Sequence, residues 1–246
     1  SFHHKWQDRH FDYPESDTAH ARITAHKDKE IAQADHVLTV SELARESYIE
    51  GGVSPEQVTA IPVGCDLSLF AQAEKAERTD PQTPFTFIFA GHAGRRKGID
   101  TLIEASAQLD QQGVSHRVWV AGGEDPGIPW EDAPSLTRLG RLSQERLAER
   151  FRQADALVLP SRHDSFGMVV VEALATGCPV LLSEQTGAKQ AITPGESGWI
   201  LPAEDTAAWV EQMAWCVAHP EQVRAMASEA HAAAQHYTWD RYRSRV

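Results

Sequence analysis

Apolar and polar positions alternate in blocks along this chain, and the blocks predict strands and helices in turn. Residues 14–34 are charged and rich in Ala and His, with ITAHKDKEIAQAD reading as a helix that ends near Asp35, and HVLTVS follows as a short β-branched strand. SELARESYIEGG follows as a helix that Ser41 can cap and that Gly51 and Gly52 stop. VTAIPVG, Val58 to Gly64, reads as a second strand, and Ala71 to Pro84 is polar without apolar period, as a linker would be. FTFIFAG, HRVWVAGG and DALVLPS then alternate with the helical patterns GIDTLIEASAQLDQQG and SQERLAERFRQA.

These strands are continuous apolar runs, the signature of a sheet covered on both faces, so an α/β fold with a doubly wound parallel sheet is expected. In GMVVVEALATG the three valines favour a strand by propensity. The strand before it, Gly177 after it and the apolar CPVLLS beyond favour a helix that completes a β-α-β unit. Asp164 and Ser165 then sit at its cap, with Glu172 about two turns along.

At 246 residues the chain can bury one large core or two modest ones. A formal net charge of -12 repels nucleic-acid phosphates, so an anionic ligand needs a local basic cluster or backbone amides. Cys65, Cys178 and Cys216 lie far apart, which suits neither a disulfide framework nor zinc, and a reducing, cytoplasmic setting is the simplest reading. His3, His4 and His10 form no convincing metal set, and the histidines are read as solvated surface. No Asp-x-Asp tripeptide occurs, and no metal ligand is assigned. Trp199, Trp215 and Trp239 are read as packing residues.

Two stretches at strand ends carry the candidate chemistry, since ligands of doubly wound sheets lie at the carboxyl ends of strands. In DSFGMVVVE, the free amides near Phe166, Gly167 and Met168 suit a diphosphate, and Gly167 allows close approach. A carboxylate two turns down suits the paired hydroxyls of a ribose, and Asp164 suits a second polyol. Those parts describe a nucleotide-sugar. The alternative is that Asp164 is only a helix cap and Glu172 a solvated charge. In AGHAGRRKGID, Gly91 and His92 lead to Arg95, Arg96 and Lys97, where Arg96 and Lys97 could neutralise a diphosphate; a solvated surface triplet is the alternative. Gly122 in AGG and Leu139, Gly140 and Arg141 in LGRLS would let backbone approach a base or sugar, or simply turn the chain.

Taken together, these motifs resemble the retaining glycosyltransferases of the GT-B fold, family 4, the glycosyl transferases group 1. Their E-x7-E motif, roughly E-G-F-G-x-x-x-x-E-A-x-A-x-G, is matched by DSFGMVVVEALATG, and their K-G by Lys97-Gly98. ADALVLPS, TGAKQAITPGESGWILP, the earlier ADHVLTVSELARESYIEGGVSPEQVTAIPVGCDLSLF and the closing YTWDRYRSRV also fall in the family's order. The resemblance implies a Rossmann-like donor domain over 85–225, a linker at 76–84, the C-terminal part of an acceptor domain over 1–75, and a closing helix over 226–246. It implies that Arg96 and Lys97 face the donor diphosphate, that Asp164, Phe166 and Gly167 hold sugar and phosphate, and that Glu172 binds the ribose. Two departures stand out: His92 occupies a position where the family often has Arg, and Asp164 is one methylene shorter than the usual Glu.

The resulting expectation is transfer of a sugar from a UDP- or GDP-linked donor, without a required metal, to a glycan, lipid-linked or small-molecule acceptor in polysaccharide, lipopolysaccharide or glycolipid synthesis. No nucleic-acid partner is expected. Only about the last quarter of the acceptor domain is recognisable, so the start at Ser1 is read as the middle of a longer chain, with removal of an initiator as the alternative. A nucleotide-sugar-binding module without transfer activity and a GT-B epimerase are the competing readings. Peripheral attachment to a membrane face is left open.

Overall fold

The computed structural model describes residues 18–70 and 83–246, so His3, His4, His10 and most of the expected linker lie outside the described residues. The first part holds helix α1 (Thr18–Gln33), strand β1 (Val37–Thr39), helix α2 (Glu42–Glu50), strand β2 (Val58–Ala60) and the single turn α3 (Leu67–Phe70). As the sequence suggests, the Ser41 hydroxyl caps α2 by accepting from the Ala44 amide, and Gly51 ends the helix. β2 is shorter than its apolar run: it pairs in parallel only with the three residues of β1, and the chain leaves the ladder where that partner stops.

The second part is a six-stranded, wholly parallel sheet of β3 (Phe85–Ala90), β4 (His116–Ala121), β5 (Leu136–Gly140), β6 (Ala156–Leu159), β7 (Val180–Ser183) and β8 (Gly198–Leu201). Their spatial order is β5-β4-β3-β6-β7-β8. Every residue of β3, β6 and β7 is buried, so both faces of the central sheet are covered, as their unbroken apolar runs require. The covering and closing helices are α4 (Ile99–Gln111), α5 (Gln144–Gln153), α6 (Met168–Ala175), α7 (Thr206–Ala218), α8 (Pro220–Ala225), α9 (Ala227–Ala234) and α10 (Trp239–Arg243).

GMVVVEALATG is helical, as context rather than valine propensity indicates: Val170 and Val171 are buried, α9 packs along α6, and Gly177 adopts a left-handed φ of 73° just beyond its end. The helix start differs from expectation. Gly167, with φ of 88°, is the cap and Asp164 does not bond into the first turn, because its carboxylate is engaged elsewhere. The expected single closing helix is broken into α9 and α10, the latter capped by the Thr238 hydroxyl.

That closing segment ties the two parts together. The Cys65 amide donates to the Tyr237 carbonyl at 2.8 Å, and Gly64 is packed so tightly on the Thr238–Trp239 backbone that no side chain would fit. The histidines are not uniformly solvated: His116 and His163 are buried, and His116 bonds through both ring nitrogens, to Ser106 and the Val114 carbonyl. Trp199 and Trp215 pack edge to face at 5.5 Å, while Trp239 is largely exposed and touches Tyr242.

Candidate functional site at the switch point of the sheet

The strand order reverses between β3 and β6: from β3 the chain moves outward to β4 and β5, and from β6 to β7 and β8 in the opposite direction. The two strands' following loops therefore diverge and leave a crevice at their carboxyl ends, the place where doubly wound sheets bind ligands. Lys97 comes from the loop after β3 and Asp164 from the loop after β6, and their side chains form an ion pair across this crevice. The ammonium and the carboxylate are only 12% and 13% exposed, so the pair is mostly withdrawn from solvent.

Backbone contacts make that meeting possible. Gly98, with φ of 69°, lies so close to the Pro160 carbonyl that a Cβ would collide with it. The Arg96 carbonyl accepts from the Arg162 amide at 3.0 Å, and the Arg96 guanidinium donates to the His163 carbonyl at 3.1 Å. Arg96 is thus exposed and partly committed to joining the two loops. Arg95 is exposed, and its carbonyl accepts from Arg162. Arg162 also makes a two-pronged bond to Asp100, at 2.5 and 2.9 Å, and one to Glu204 at 3.0 Å. The sequence reading missed this clamp, although Arg162 stands two residues before Asp164.

On the β6 side, Asp164 is held by its backbone: its amide donates to the Gln185 carbonyl at 3.1 Å and its carbonyl accepts from Gly187 at 2.9 Å. Gly167 lies against the Asp164 carboxylate and Thr186, where a built Cβ would come within 2.9 Å of the threonine methyl. Phe166 turns its ring inward onto Tyr237, at 5.9 Å between centroids, while its amide donates to the Asp164 carboxylate at 3.4 Å and its carbonyl accepts from the Ala188 amide at 2.6 Å. Ser165 is exposed and its carbonyl accepts from the Ser41 hydroxyl at 2.6 Å; Met168 begins α6 and is half-buried. The first amides of α6 lack helical acceptors, as at any helix start.

Glu172 is half-buried on α6, and burial pushes its carboxyl up to about 7. Among the described residues it has no cationic partner. The reading of Glu172 as a solvated helix charge therefore fails: it is an underprovided acceptor, for which paired hydroxyls are suitable donors. It lies close enough to the buried Cys65 to raise that thiol, after burial itself, toward about 12.

The glycine-rich ends of β3, β4 and β5 form the other wall. Gly91 packs near the Lys97 side chain, and Gly122 presses on the Gly91 carbonyl. A Cβ on Gly123 would lie 3.1 Å from His92 Nδ1 and 3.4 Å from the Arg141 guanidinium, so His92 and Arg141 stand over the same bare backbone. His92 also bonds to Asp125 at 2.7 Å. Gly140 ends β5 with its carbonyl accepting from the Gly122 amide at 2.8 Å, and Leu139 beside it is half-buried. The sequence-selected positions thus lie on the loops after β3, β4 and β6, at the end of β5 and just after it, and, for Met168 and Glu172, on α6. Among the described residues no group of three or more His, Cys, Asp or Glu side chains could hold a metal, and no helix is long and apolar enough to cross a membrane.

A model of the family described as glycosyl transferases group 1 matches residues 71–233. The chain belongs to that family. Its curated relatives include D-inositol 3-phosphate glycosyltransferase from Nocardia farcinica, 29% identical over 85% of this chain and 51% of the relative. D-inositol 3-phosphate glycosyltransferase 1 from Catenulispora acidiphila is 31% identical over 85% of this chain and 55% of its own length. The chain therefore spans about half the length of the curated relatives it matches. Among solved structures, sucrose-phosphate synthase from Thermosynechococcus elongatus superposes with a TM-score of 0.77 at 25% identity, covering 98% of this chain and 63% of that one. Anabaena HepE, in complex with UDP and glucose, superposes with a TM-score of 0.71 at 19% identity, covering 86% and 61%. The group 1 chain described here has the fold of GT-B glycosyltransferases, with its crevice where the sequence places the motifs.

Proposed function

We propose that this chain carries the donor site of a retaining glycosyltransferase that moves a hexosyl group from a nucleoside-diphosphate sugar to an acceptor hydroxyl. The observation that carries the reading is the Lys97–Asp164 pair at the switch point, with the uncompensated Glu172 carboxylate about two turns along α6. In this reading the diphosphate takes the first amides of α6 and displaces part of Asp164 from the Lys97 ammonium, freeing the carboxylate for the sugar hydroxyls. Glu172 accepts from the two ribose hydroxyls. Arg96 contributes its remaining N–H groups, while His92 and Arg141 face the nucleotide over Gly91, Gly122 and Gly123.

The chemistry asked of these residues is electrostatic. As the bond from sugar to diphosphate breaks, negative charge grows on the leaving oxygen, and the Lys97 ammonium with the helix-start amides is placed to stabilise it. A departing phosphate oxygen can take the proton of an acceptor hydroxyl arriving on the same face, which gives retention of configuration. Relatives named for D-inositol 3-phosphate add a small phosphorylated polyol to the glycan and lipid-linked acceptors already considered. The competing reading is a donor-binding module or subunit whose transfer activity needs a separate acceptor half.

The test is calorimetric titration of the chain with UDP, GDP, ADP and their glucose conjugates, beside the Glu172→Ala variant. Saturable binding of one nucleotide, lost in the variant, is expected. Absence of binding to a folded chain, or binding indifferent to Glu172, overturns the donor reading. Transfer by the chain alone would reject the subunit alternative, whereas transfer only after addition of a second polypeptide would favour it.

A further inference from the structure

Arg162 stands two residues before Asp164, in the loop after β6, where a cation would ordinarily be read as another phosphate ligand. Its hydrogen bonds point to a different role. The Nε–H donates to Glu204 at 3.0 Å, Nη1 to the Arg95 carbonyl at 2.9 Å and to Asp100 Oδ1 at 2.5 Å, and Nη2 to Asp100 Oδ2 at 2.9 Å and to the Thr101 hydroxyl at 3.4 Å. A guanidinium has five N–H groups, and all five are engaged. The side chain is 10% exposed and two carboxylates answer its charge, so it has no free N–H to offer a diphosphate.

What those bonds hold is the turn that carries Lys97. Residues Arg95–Lys97 form one helical turn between β3 and α4. Arg162 grips that turn at two consecutive carbonyls, Arg95 through its guanidinium and Arg96 through its own amide at 3.0 Å, while Gly98 beyond the turn is pressed on the Pro160 carbonyl. The fork to Asp100 anchors the same guanidinium on the first turn of α4, and Glu204 fixes it from the loop between β8 and α7. Lys97 is thereby held through the backbone on both sides, and its side chain reaches Asp164. The planar fork matters here, because a lysine ammonium at position 162 could not span the Arg95 carbonyl and both Asp100 oxygens.

We infer that Arg162 is a positioning residue for the donor diphosphate: it touches no ligand and acts by aiming the Lys97 ammonium across the crevice. The inference rests on the proposed donor site, in which Lys97 stabilises the leaving oxygen. That oxygen belongs to the phosphate farther from the ribose. The effect of Arg162 is therefore on the preference for a nucleoside diphosphate over its monophosphate, rather than on affinity for the nucleotide as a whole.

The test is calorimetric titration of the full chain with UDP, GDP and ADP beside UMP, GMP and AMP, in the native protein, Arg162→Gln, Lys97→Ala and the double variant. The native chain is expected to prefer one diphosphate over its monophosphate, Arg162→Gln to lose about tenfold of that preference, and the double variant to lose no more than Lys97→Ala alone. Asp100→Asn, which loosens the fork but leaves Arg162 in place, is expected to shift the preference in the same direction, and it carries the test should Arg162→Gln not fold. An unchanged preference in these variants, or equal weakening of diphosphate and monophosphate, would reduce Arg162 to a general support of the fold and overturn the inference. Losses that multiply in the double variant would separate Arg162 from Lys97 and overturn it too. A native chain that binds no nucleotide overturns the donor reading itself, whereas one that binds diphosphate and monophosphate equally overturns this inference alone.

Discussion

Lys97 and Asp164, 67 residues apart in sequence, form a mostly buried ion pair that bridges the two loops of the crevice. A pair so placed has two roles in conflict. It neutralises each charge in the absence of a ligand, and in the proposed donor site it opens in part when a diphosphate and a sugar arrive.

Removing Lys97 therefore affects more than turnover. Lys97→Ala leaves a buried carboxylate unpaired and is expected to cost roughly 3 kcal/mol of stability, while Lys97→Ala with Asp164→Ala is expected to recover much of that loss. Denaturant unfolding of the four proteins of the cycle measures this. Additive losses would show that the two side chains do not depend on each other.

Glu172 makes stability depend on pH. Its folded value of about 7 lies above the ordinary 4.5, so the folded chain holds more protons than the unfolded chain between those values, and stability falls as pH rises across that window. The loss is at most about 3 kcal/mol for a shift of this size. Glu172→Gln should remove that slope, seen as a gain in melting temperature over the native chain that is larger at about pH 8 than at about pH 5.

If Glu172 holds the ribose as proposed, the same carboxyl sets the pH dependence of nucleotide binding. Ribose hydroxyls donate to the charged form, so nucleotide affinity should increase as pH rises through about 7, with proton release below it. Titration in two buffers of different ionisation enthalpy reads the released protons; uptake instead of release would contradict the assignment.

Gly98→Ala tests the junction of the loops. The new methyl meets the Pro160 carbonyl and the left-handed φ is lost, so destabilisation of about 1–3 kcal/mol is expected, together with loss of nucleotide binding. Gly113→Ala is the control, because it has a similar φ of 72° but open space around it, and it should cost stability without changing nucleotide affinity.

Ser41→Ala tests the contact between the two parts. It removes the cap of α2 and the bond to the Ser165 carbonyl in one step, with an expected cost of about 1–2 kcal/mol. Because Ser165 belongs to the loop after β6 that carries Asp164, the proposed nucleotide affinity should fall as well. A loss confined to stability would show that the loop keeps its shape without Ser41.

By itself the sequence determined the alternation of strands and helices, the burial of the central strands and the position of the candidate motifs at strand ends, because these follow from local apolar period and from glycine and cap residues. It also resolved α6 against the propensity of Val169, Val170 and Val171, because β-α-β connectivity outweighs propensity there. The likeness to a family came from motifs in register, and the family match over residues 71–233 agrees with it. What tertiary structure alone decided is which charges meet. Asp164 read either as a polyol ligand or as a helix cap and became the partner of Lys97; Arg96 read as a cation or a solvated charge and became partly a clip on His163; Arg162 was not singled out in the sequence and became a clamp on Asp100 and Glu204. Glu172 read equally well as a solvated charge until burial on α6 placed it without a cation. Such pairings depend on distances between loops that leave different strands, and those distances are set by sheet order and twist, which no local stretch of sequence contains.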